Sequence, residues 1–350
     1  MTSDLASIGL TPYFHSQLTL EELERGSLAR VTAIQRSLAR VLDGSAERAV
    51  SLGPDFAHAA PQDRPTVGDW VLLDEDRSRI ERVLERKSVF QRVAAGERKE
   101  IQLIAANVDI LFIVTSCNEE FSESRLERYL ALAADAGVLP VIVLTKVDLV
   151  DDPAPYAQRA SRVQRDISVV SVNALDSSTF GELEAWIEAG CTVALVGSSG
   201  VGKSTILNTL VGSSIAATGE IREDDKKGRH TTSYRSLHRL PGGGLLIDVP
   251  GMRELKVAGL EEGLGTVFDD IETLALSCRF PDCRHDTEPG CAVRHAIESG
   301  NLDQRRLNSY EKLLRENQRH NVSLAESRRS GREFAKFAKQ MMAWKNATKR

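Results

Sequence analysis

The spacing of apolar positions changes twice along this chain. From about Gly26 to Arg92 they come in short alternating stretches: Ala29–Ile34, Leu38–Leu42, Ala49–Leu52, Asp69–Leu73 and Ile80–Leu84. Polar, Gly- or Pro-containing connections separate them. Alternation with a period of two marks half-buried strands, so this zone predicts a small all-β barrel. An OB-fold suits the pattern, and an SH3-like barrel would produce a similar one. Residues 1–25 read as a loosely attached tail or one short helix.

Downstream, continuous apolar runs alternate with helical spacing. Val108–Thr115, Val138–Thr145, Ile167–Val172, Thr192–Gly197 and Leu245–Val249 read as buried strands. Glu123–Ala136, Ser178–Glu188 and Ser204–Val211 read as helices between them. This alternation predicts a parallel sheet with helices on both faces. Gly219–Thr232 is polar and charged and reads as a mobile loop. From about Glu261 the pattern is helical, with a Cys/His cluster inside it. The expected units are an N-terminal extension (1–25), a barrel (26–98), an α/β domain (99–260) and a helical C-terminal domain (261–350).

Composition adds bounds. A chain of 350 residues has room for two or three cores. With 41% hydrophobic and 27% charged residues and a net charge of -5, it is a soluble globular type that is not basic throughout. A local nucleic-acid surface stays open, because charge is patterned. No secretory signal is expected at the start, and the longest apolar runs are strand-length. A cytoplasmic location without membrane association follows, with a monomer as the expected state.

Gly197-Ser198-Ser199-Gly200-Val201-Gly202-Lys203-Ser204 lies between a strand and a helix and matches a Walker A phosphate loop. Small residues let consecutive N–H groups turn inward around phosphates, and the following helix N-terminus adds its dipole. Lys203 would reach the β- and γ-phosphates, Ser204 would ligate Mg²⁺, and Thr205 would help hold the α-phosphate. Thr145-Lys146-Val147-Asp148 resembles the Asn-Lys-x-Asp base-specificity motif of GTPases, with Thr in place of Asn. Asp148 can accept hydrogen bonds from guanine N1–H and N2–H₂, which adenine does not offer. This motif precedes the Walker loop, which reverses the usual GTPase order.

Other segments fit a GTPase. Asp248-Val249-Pro250-Gly251 resembles the Asp-x-x-Gly switch, with Asp248 on Mg²⁺ through water and the Gly251 N–H sensing the γ-phosphate. Ser171-Val172 is a candidate second guanine loop. Thr231 or Thr232 would be the switch threonine on Mg²⁺. Met252 stands where familiar small GTPases carry a water-orienting glutamine. That leaves His230 as the catalytic candidate inside the chain, with slow hydrolysis unless a partner completes the site.

Five cysteines do not form a disulfide framework here. Cys117 and Cys191 sit in or beside apolar runs, as free buried thiols do. Cys278-x₄-Cys283-x-His285-x₅-Cys291 supplies a full tetrahedral Zn²⁺ set of structural type, with His295 as a competing fourth ligand. The stretch from Arg305 to Arg350 is rich in Arg and Lys, and Phe334, Phe337 and Met341 share one helical face. It reads as a basic RNA-facing surface.

Taken together the motifs resemble one family over nearly the full length, the ribosome-small-subunit-dependent GTPases known as RsgA (YjeQ or YloQ). Pro65-Thr66-Val67-Gly68-Asp69-Trp70-Val71, the Thr-Lys-Val-Asp and Walker segments, Gly228-Arg229-His230-Thr231-Thr232, Asp248-Val249-Pro250-Gly251 and Cys278 through Cys291 carry the likeness. The resemblance implies an N-terminal OB-fold, a circularly permuted GTPase domain and a C-terminal zinc domain. It also implies binding to the small ribosomal subunit and its 16S rRNA late in maturation. The subunit would stimulate hydrolysis of GTP to GDP, and the cofactors would be one structural zinc and magnesium with GTP. Two competing readings are a GTP-dependent RNA-binding switch with little turnover and an ATP-using P-loop protein. The guanine motif argues against the second.

Overall fold

A computed structural model describes residues 2–25, 27–35, 37–93, 101–212, 235–248, 260–319 and 321. The first strands lie where the alternation places them: β1 Leu28–Gln35, β2 Leu38–Leu42, β3 Glu47–Ser51, β4 Trp70–Leu73 and β5 Ile80–Val83. Antiparallel pairing joins β3 to β2, β2 to β1, β1 to β4 and β4 to β5. A single parallel bridge, Ser51 to Arg79, returns the circuit from β3 towards β5. Because strand side chains alternate between faces, Ala29, Val31, Val71 and Leu73 fill the barrel interior. Leu28, Trp70 and Leu72 turn outward into the core shared with the α/β domain.

The hairpin of β6 Val89–Val93 and β7 Ile101–Ala106 follows, pairing across the expected boundary at residue 98. Parallel strands come next: β8 Ile110–Ser116, β9 Leu139–Thr145, β10 Ser168–Ser171, β11 Thr192–Gly197 and β13 Leu245–Asp248. They lie in the order β10-β9-β8-β11-β13. One strand departs from the expected parallel sheet. β12, Ser236–Arg239, runs antiparallel beside β13 and also pairs with β1 of the barrel through Ser236 and Ala33. Its one buried apolar residue, Leu237, gave little pattern to read. Barrel and α/β sheet are therefore hydrogen-bonded into one sheet of eleven strands.

The N-terminal extension is a packed strap, not a loose tail. Helices Thr2–Ala6, Pro12–His15 and Leu20–Arg25 bury Ile8 and Phe14, and Phe14 packs on Trp70 with ring centroids 5.9 Å apart. The last of these helices starts with a reciprocal capping box. Thr19 N–H donates to the Glu22 carboxylate at 2.8 Å and Glu22 N–H to the Thr19 hydroxyl at 3.3 Å. Beneath the strap lies Arg30, fully buried. It donates to the carbonyls of Ile8 (2.6 Å), Asn107 (2.9 Å) and Gly68 (3.2 Å), so one guanidinium ties strap, barrel and α/β domain. Burial pulls its pKa down to about 10, which leaves it charged at neutral pH.

The C-terminal zone is helical as expected, with helices Glu261–Val267, Asp269–Ala275 and Ala292–Glu298 and a longer one over 304–319. It is docked on helix Glu123–Asp135 of the α/β domain. A Cβ on Gly263 would stand 2.1 Å from the Ala131 carbonyl oxygen, so only glycine allows this approach. Two arginines expected on an RNA surface are instead spent inside this joint. Arg305 and Arg306 both bind the fully buried Glu127 carboxylate, at 3.0 and 3.2 Å, and Arg306 also pairs with Asp270 at 2.7 Å. Lys312, Arg315 and Arg319 remain exposed on the last helix. Phe334, Phe337 and Met341 lie outside the described residues.

Candidate functional site

The segments singled out as nucleotide-binding gather at the carboxyl ends of parallel strands of one sheet, with β8 between the two pairs that carry them. In open α/β sheets that edge is where ligands bind. β11 ends at Gly197, β9 at Thr145, β10 at Ser171 and β13 at Asp248.

The phosphate loop starts where β11 touches β8. A Cβ on Gly197 would lie 2.2 Å from the Val114 carbonyl oxygen, which forces glycine at the loop entrance. Ser198, Ser199, Gly200 and Val201 lead to Gly202, which opens helix Lys203–Val211. Val201 is fully buried and anchors the loop in the core, while Ser199 and Gly200 face solvent. Lys203 Nζ folds back over the loop, donating to the Gly197 carbonyl at 2.8 Å and to the Ser198 carbonyl. A phosphate placed there would offer that ammonium a charged partner in place of two neutral ones. Ser204 and Thr205 lie in the first turn of the helix, at its positive end.

Thr145 does a task its sequence position did not disclose. Fully buried at the end of β9, it aims its hydroxyl at the Val201 carbonyl (2.5 Å), with the Thr115 carbonyl as an alternative acceptor at 3.2 Å. The first residue of the base motif thus pins the phosphate loop. Lys146 takes the left-handed conformation, with φ at 57°, and reverses the chain into a short 3-10 turn, Val147–Leu149. That turn leaves Val147 packed inward and the Asp148 carboxylate exposed.

On the neighbouring strand Ser171 is exposed, but Val172 turns inward. Its side chain is fully buried and its N–H donates to the Leu144 carbonyl at 2.8 Å. The segment that reaches the rim is the next one, Asn173–Asp176. Thr209, on the phosphate-loop helix, donates to the Ala174 carbonyl at 3.1 Å, and Asn173 Oδ1 accepts the Leu175 N–H at 3.0 Å. Leu175 stands 82% exposed there. An Asn two residues after a strand-end serine was the available sign of this tight loop.

Asp248 ends β13 directly opposite Ser236 of β12. His230, Thr231, Thr232, Gly251 and Met252, and the expected mobile loop Gly219–Thr232, lie outside the described residues. Sequence reasoning also missed Arg125, on the first turn of helix Glu123–Asp135, whose guanidinium donates to the Ser198 hydroxyl. Nothing in the local pattern points to that contact, which joins residues far apart in sequence.

A second site lies in the C-terminal zone. One ligand atom from each of Cys278, Cys283, His285 and Cys291 falls within 4.8 Å of the others. The Cys278 and Cys291 sulfurs are 3.9 Å apart, and His285 Nδ1 stands 3.6 and 3.4 Å from them. A tetrahedral Zn²⁺ with bonds of about 2.3 Å to sulfur would set S···S edges near 3.8 Å, so the cluster fits that ion. Burial would raise the Cys278 thiol, yet the N–H groups of Ala292 and Val293 hold it below its ordinary value. His295 is exposed on helix Ala292–Glu298 and outside the cluster, which removes it as the competing ligand. We expect Cys283→Ser to release bound metal and loosen the zone around it. Metal quantification after gel filtration checks this, and full occupancy would point to another ligand set.

Comparison with known proteins agrees with this geometry. The family described as RsgA GTPase matches residues 83–258. A Vibrio parahaemolyticus protein named small ribosomal subunit biogenesis GTPase RsgA 2 is 47% identical over 98% of this chain and 94% of its own length. A Mesorhizobium japonicum protein named small ribosomal subunit biogenesis GTPase RsgA is 46% identical over 95% and 94%. Among solved structures, Thermotoga maritima YjeQ superposes with a TM-score of 0.59 at 25% identity, covering 83% of this chain and 98% of that one. YloQ, described as a circularly permuted GTPase, gives 0.58 at 25% identity, covering 84% and 96%. With the guanine-type motif on β9 preceding the phosphate loop after β11, and both loops at one edge of one sheet, the chain belongs to the RsgA GTPase family as a circularly permuted member.

Proposed function

We propose that this protein binds the small ribosomal subunit and hydrolyses GTP to GDP and phosphate during late maturation of that subunit, with the subunit stimulating turnover. The observation that carries the reading is the tie between the two motifs: Thr145 of the base motif bonds the Val201 carbonyl inside the phosphate loop. A single site then senses both ends of one nucleotide.

In this reading Asp148 reads the guanine edge, the Lys146 stem covers one face of the base, and Ser171 with the Asn173–Asp176 loop closes the other side. Backbone N–H groups from Ser198 to Gly202 cradle the phosphates, with Lys203 on the β- and γ-phosphates and Thr205 near the α-phosphate. Ser204 and Asp248, with Thr231 or Thr232, hold Mg²⁺, which supplies charge neutralisation when bound. The Gly251 N–H senses the γ-phosphate, and His230 is the catalytic candidate inside the chain. The five-stranded circuit β3-β2-β1-β4-β5 is read as an OB-fold, suited to RNA. Cys278, Cys283, His285 and Cys291 hold one structural zinc. A cytoplasmic location follows from the ribosomal partner.

Met252 favours a second reading, a GTP-dependent RNA-binding switch with little turnover of its own. Co-sedimentation with purified small ribosomal subunits tests the binding common to both. The protein should pellet with them in a non-hydrolysable GTP analogue and much less in GDP. Equal pelleting in both nucleotides, or none in either, would contradict the proposal.

A further inference from the structure

Two cations converge on one residue of the phosphate loop. Lys203 Nζ donates to the Ser198 carbonyl, and the Arg125 guanidinium donates to the Ser198 hydroxyl. Lysine is expected of any Walker loop; the arginine is not part of that motif. Among the described residues Arg125 has one ion-pair partner, the exposed Glu120 at 3.4 Å, and its own side chain is 39% exposed. It lies on helix Glu123–Asp135, whose first turn stands beside the loop.

The same helix is the platform on which the C-terminal zone is docked. Glu127, two residues on, is fully buried beneath Arg305 and Arg306. Arg128 holds Glu316 of the last helix at 2.6 Å, and Glu123 holds Arg305 at 3.3 Å. Gly263 brings helix Glu261–Val267 into backbone contact with Ala131. One rigid helix therefore carries an arginine at the phosphate loop and the ion pairs of the metal-cluster zone at its flank. A shift of the docked zone that rotates or slides this helix also moves the Arg125 guanidinium. Loop misplacement of about 1 Å is enough to cost a phosphoryl-transfer site much of its rate.

We propose that Arg125 is a positioning residue for GTP hydrolysis, holding Ser198 in place and conveying the docking of the C-terminal zone to the phosphate loop. This rests on the GTPase reading above. Arg125 acts through the loop, so its loss falls on turnover more than on nucleotide affinity.

Steady-state GTP hydrolysis and fluorescent-GDP affinity would be measured for the wild type, Arg125→Ala, Arg125→Lys, Ser198→Ala and the Arg125→Ala/Ser198→Ala double variant. Each protein would be assayed with and without small ribosomal subunits. We expect Arg125→Ala to lower kcat about 10- to 100-fold, the scale of a lost charge-assisted hydrogen bond, with GDP affinity changed less than about 3-fold. Lysine at the position should restore part of the rate, and the double variant should be no slower than the worse single variant. An unchanged kcat in Arg125→Ala, or strictly multiplicative losses in the double variant, would overturn the proposal. Should Arg125→Ala not fold, Arg125→Lys and Ser198→Ala decide the matter, since wild-type kcat in both would overturn it too. A wild type that hydrolyses GTP but ignores the subunits would defeat the ribosomal reading alone, leaving the Arg125 result to be read from the unstimulated rates.

Discussion

Asp148→Asn is expected to weaken GTP binding by two orders of magnitude or more and to turn preference towards xanthosine triphosphate. The carboxylate sits exposed on the short turn Val147–Leu149, held there by the left-handed Lys146. Guanine presents N1–H and N2–H₂ to it, two donors for two acceptor oxygens. Asparagine keeps the shape but replaces one acceptor with a donor, which then faces the N2 amino group. Sites built to pair a substrate's polar group reject the mismatched partner by roughly 10⁴ or more, because a desolvated group is left unpaired. Xanthine carries a carbonyl at that position and accepts the new donor. Titration of the variant with fluorescent GDP and XDP checks this, and wild-type affinity for GDP would remove Asp148 from the base site.

The second large effect is structural. Arg306→Ala should destabilise the protein by about 3 kcal/mol, the lower end of what breaking a buried ion pair costs. Arg306 is the hub between the C-terminal zone and the α/β domain. It donates to Asp270 at 2.7 and 3.0 Å, to Glu127 at 3.2 Å, and to the carbonyls of Val163 (2.9 Å) and Val267 (2.7 Å). Its guanidinium also lies 4.9 Å from the Phe268 ring centre. Truncation leaves those carbonyls without their donor, while Glu127 keeps Arg305 and so does not become a bare buried charge. Lysine should rescue poorly, since a point charge cannot reproduce a planar fork that serves acceptors on several sides. Urea unfolding followed by intrinsic fluorescence reads the loss, and an unchanged midpoint would show that the joint is held elsewhere.

What the chain disclosed in advance follows from the range of the interactions involved. Barrel strands announced themselves through period-two alternation, and parallel strands through unbroken apolar runs, because a strand's own neighbours dictate both. The glycine-rich loop and the Cys/His cluster were legible for the same reason, their chemistry being compressed into short spacings. The strap over residues 2–25 was not, since among the residues whose burial is described it buries Ile8 and Phe14 alone and borrows its partners from Trp70 and Arg30. β12 was missed because Ser-Leu-His-Arg carries one apolar residue and is held by strands on either side. Arg305 and Arg306 looked like part of a basic surface. Their acidic partner Glu127 lies nearly 180 residues away in sequence, where no local pattern can show it. Arg125 escaped notice on the same ground. Val172, a candidate base contact by sequence, turns inward because the strand continues one bond further to Leu144.

On the proposed reading a ribosomal partner completes a permuted guanine-nucleotide site. GTP turnover by the purified protein, alone and with purified small ribosomal subunits, tests it most directly. A slow intrinsic rate should rise roughly 10-fold or more on adding the subunits, well within the gain a partner brings by completing a GTPase site. A turnover rate that is the same with and without the subunits would defeat the ribosomal reading.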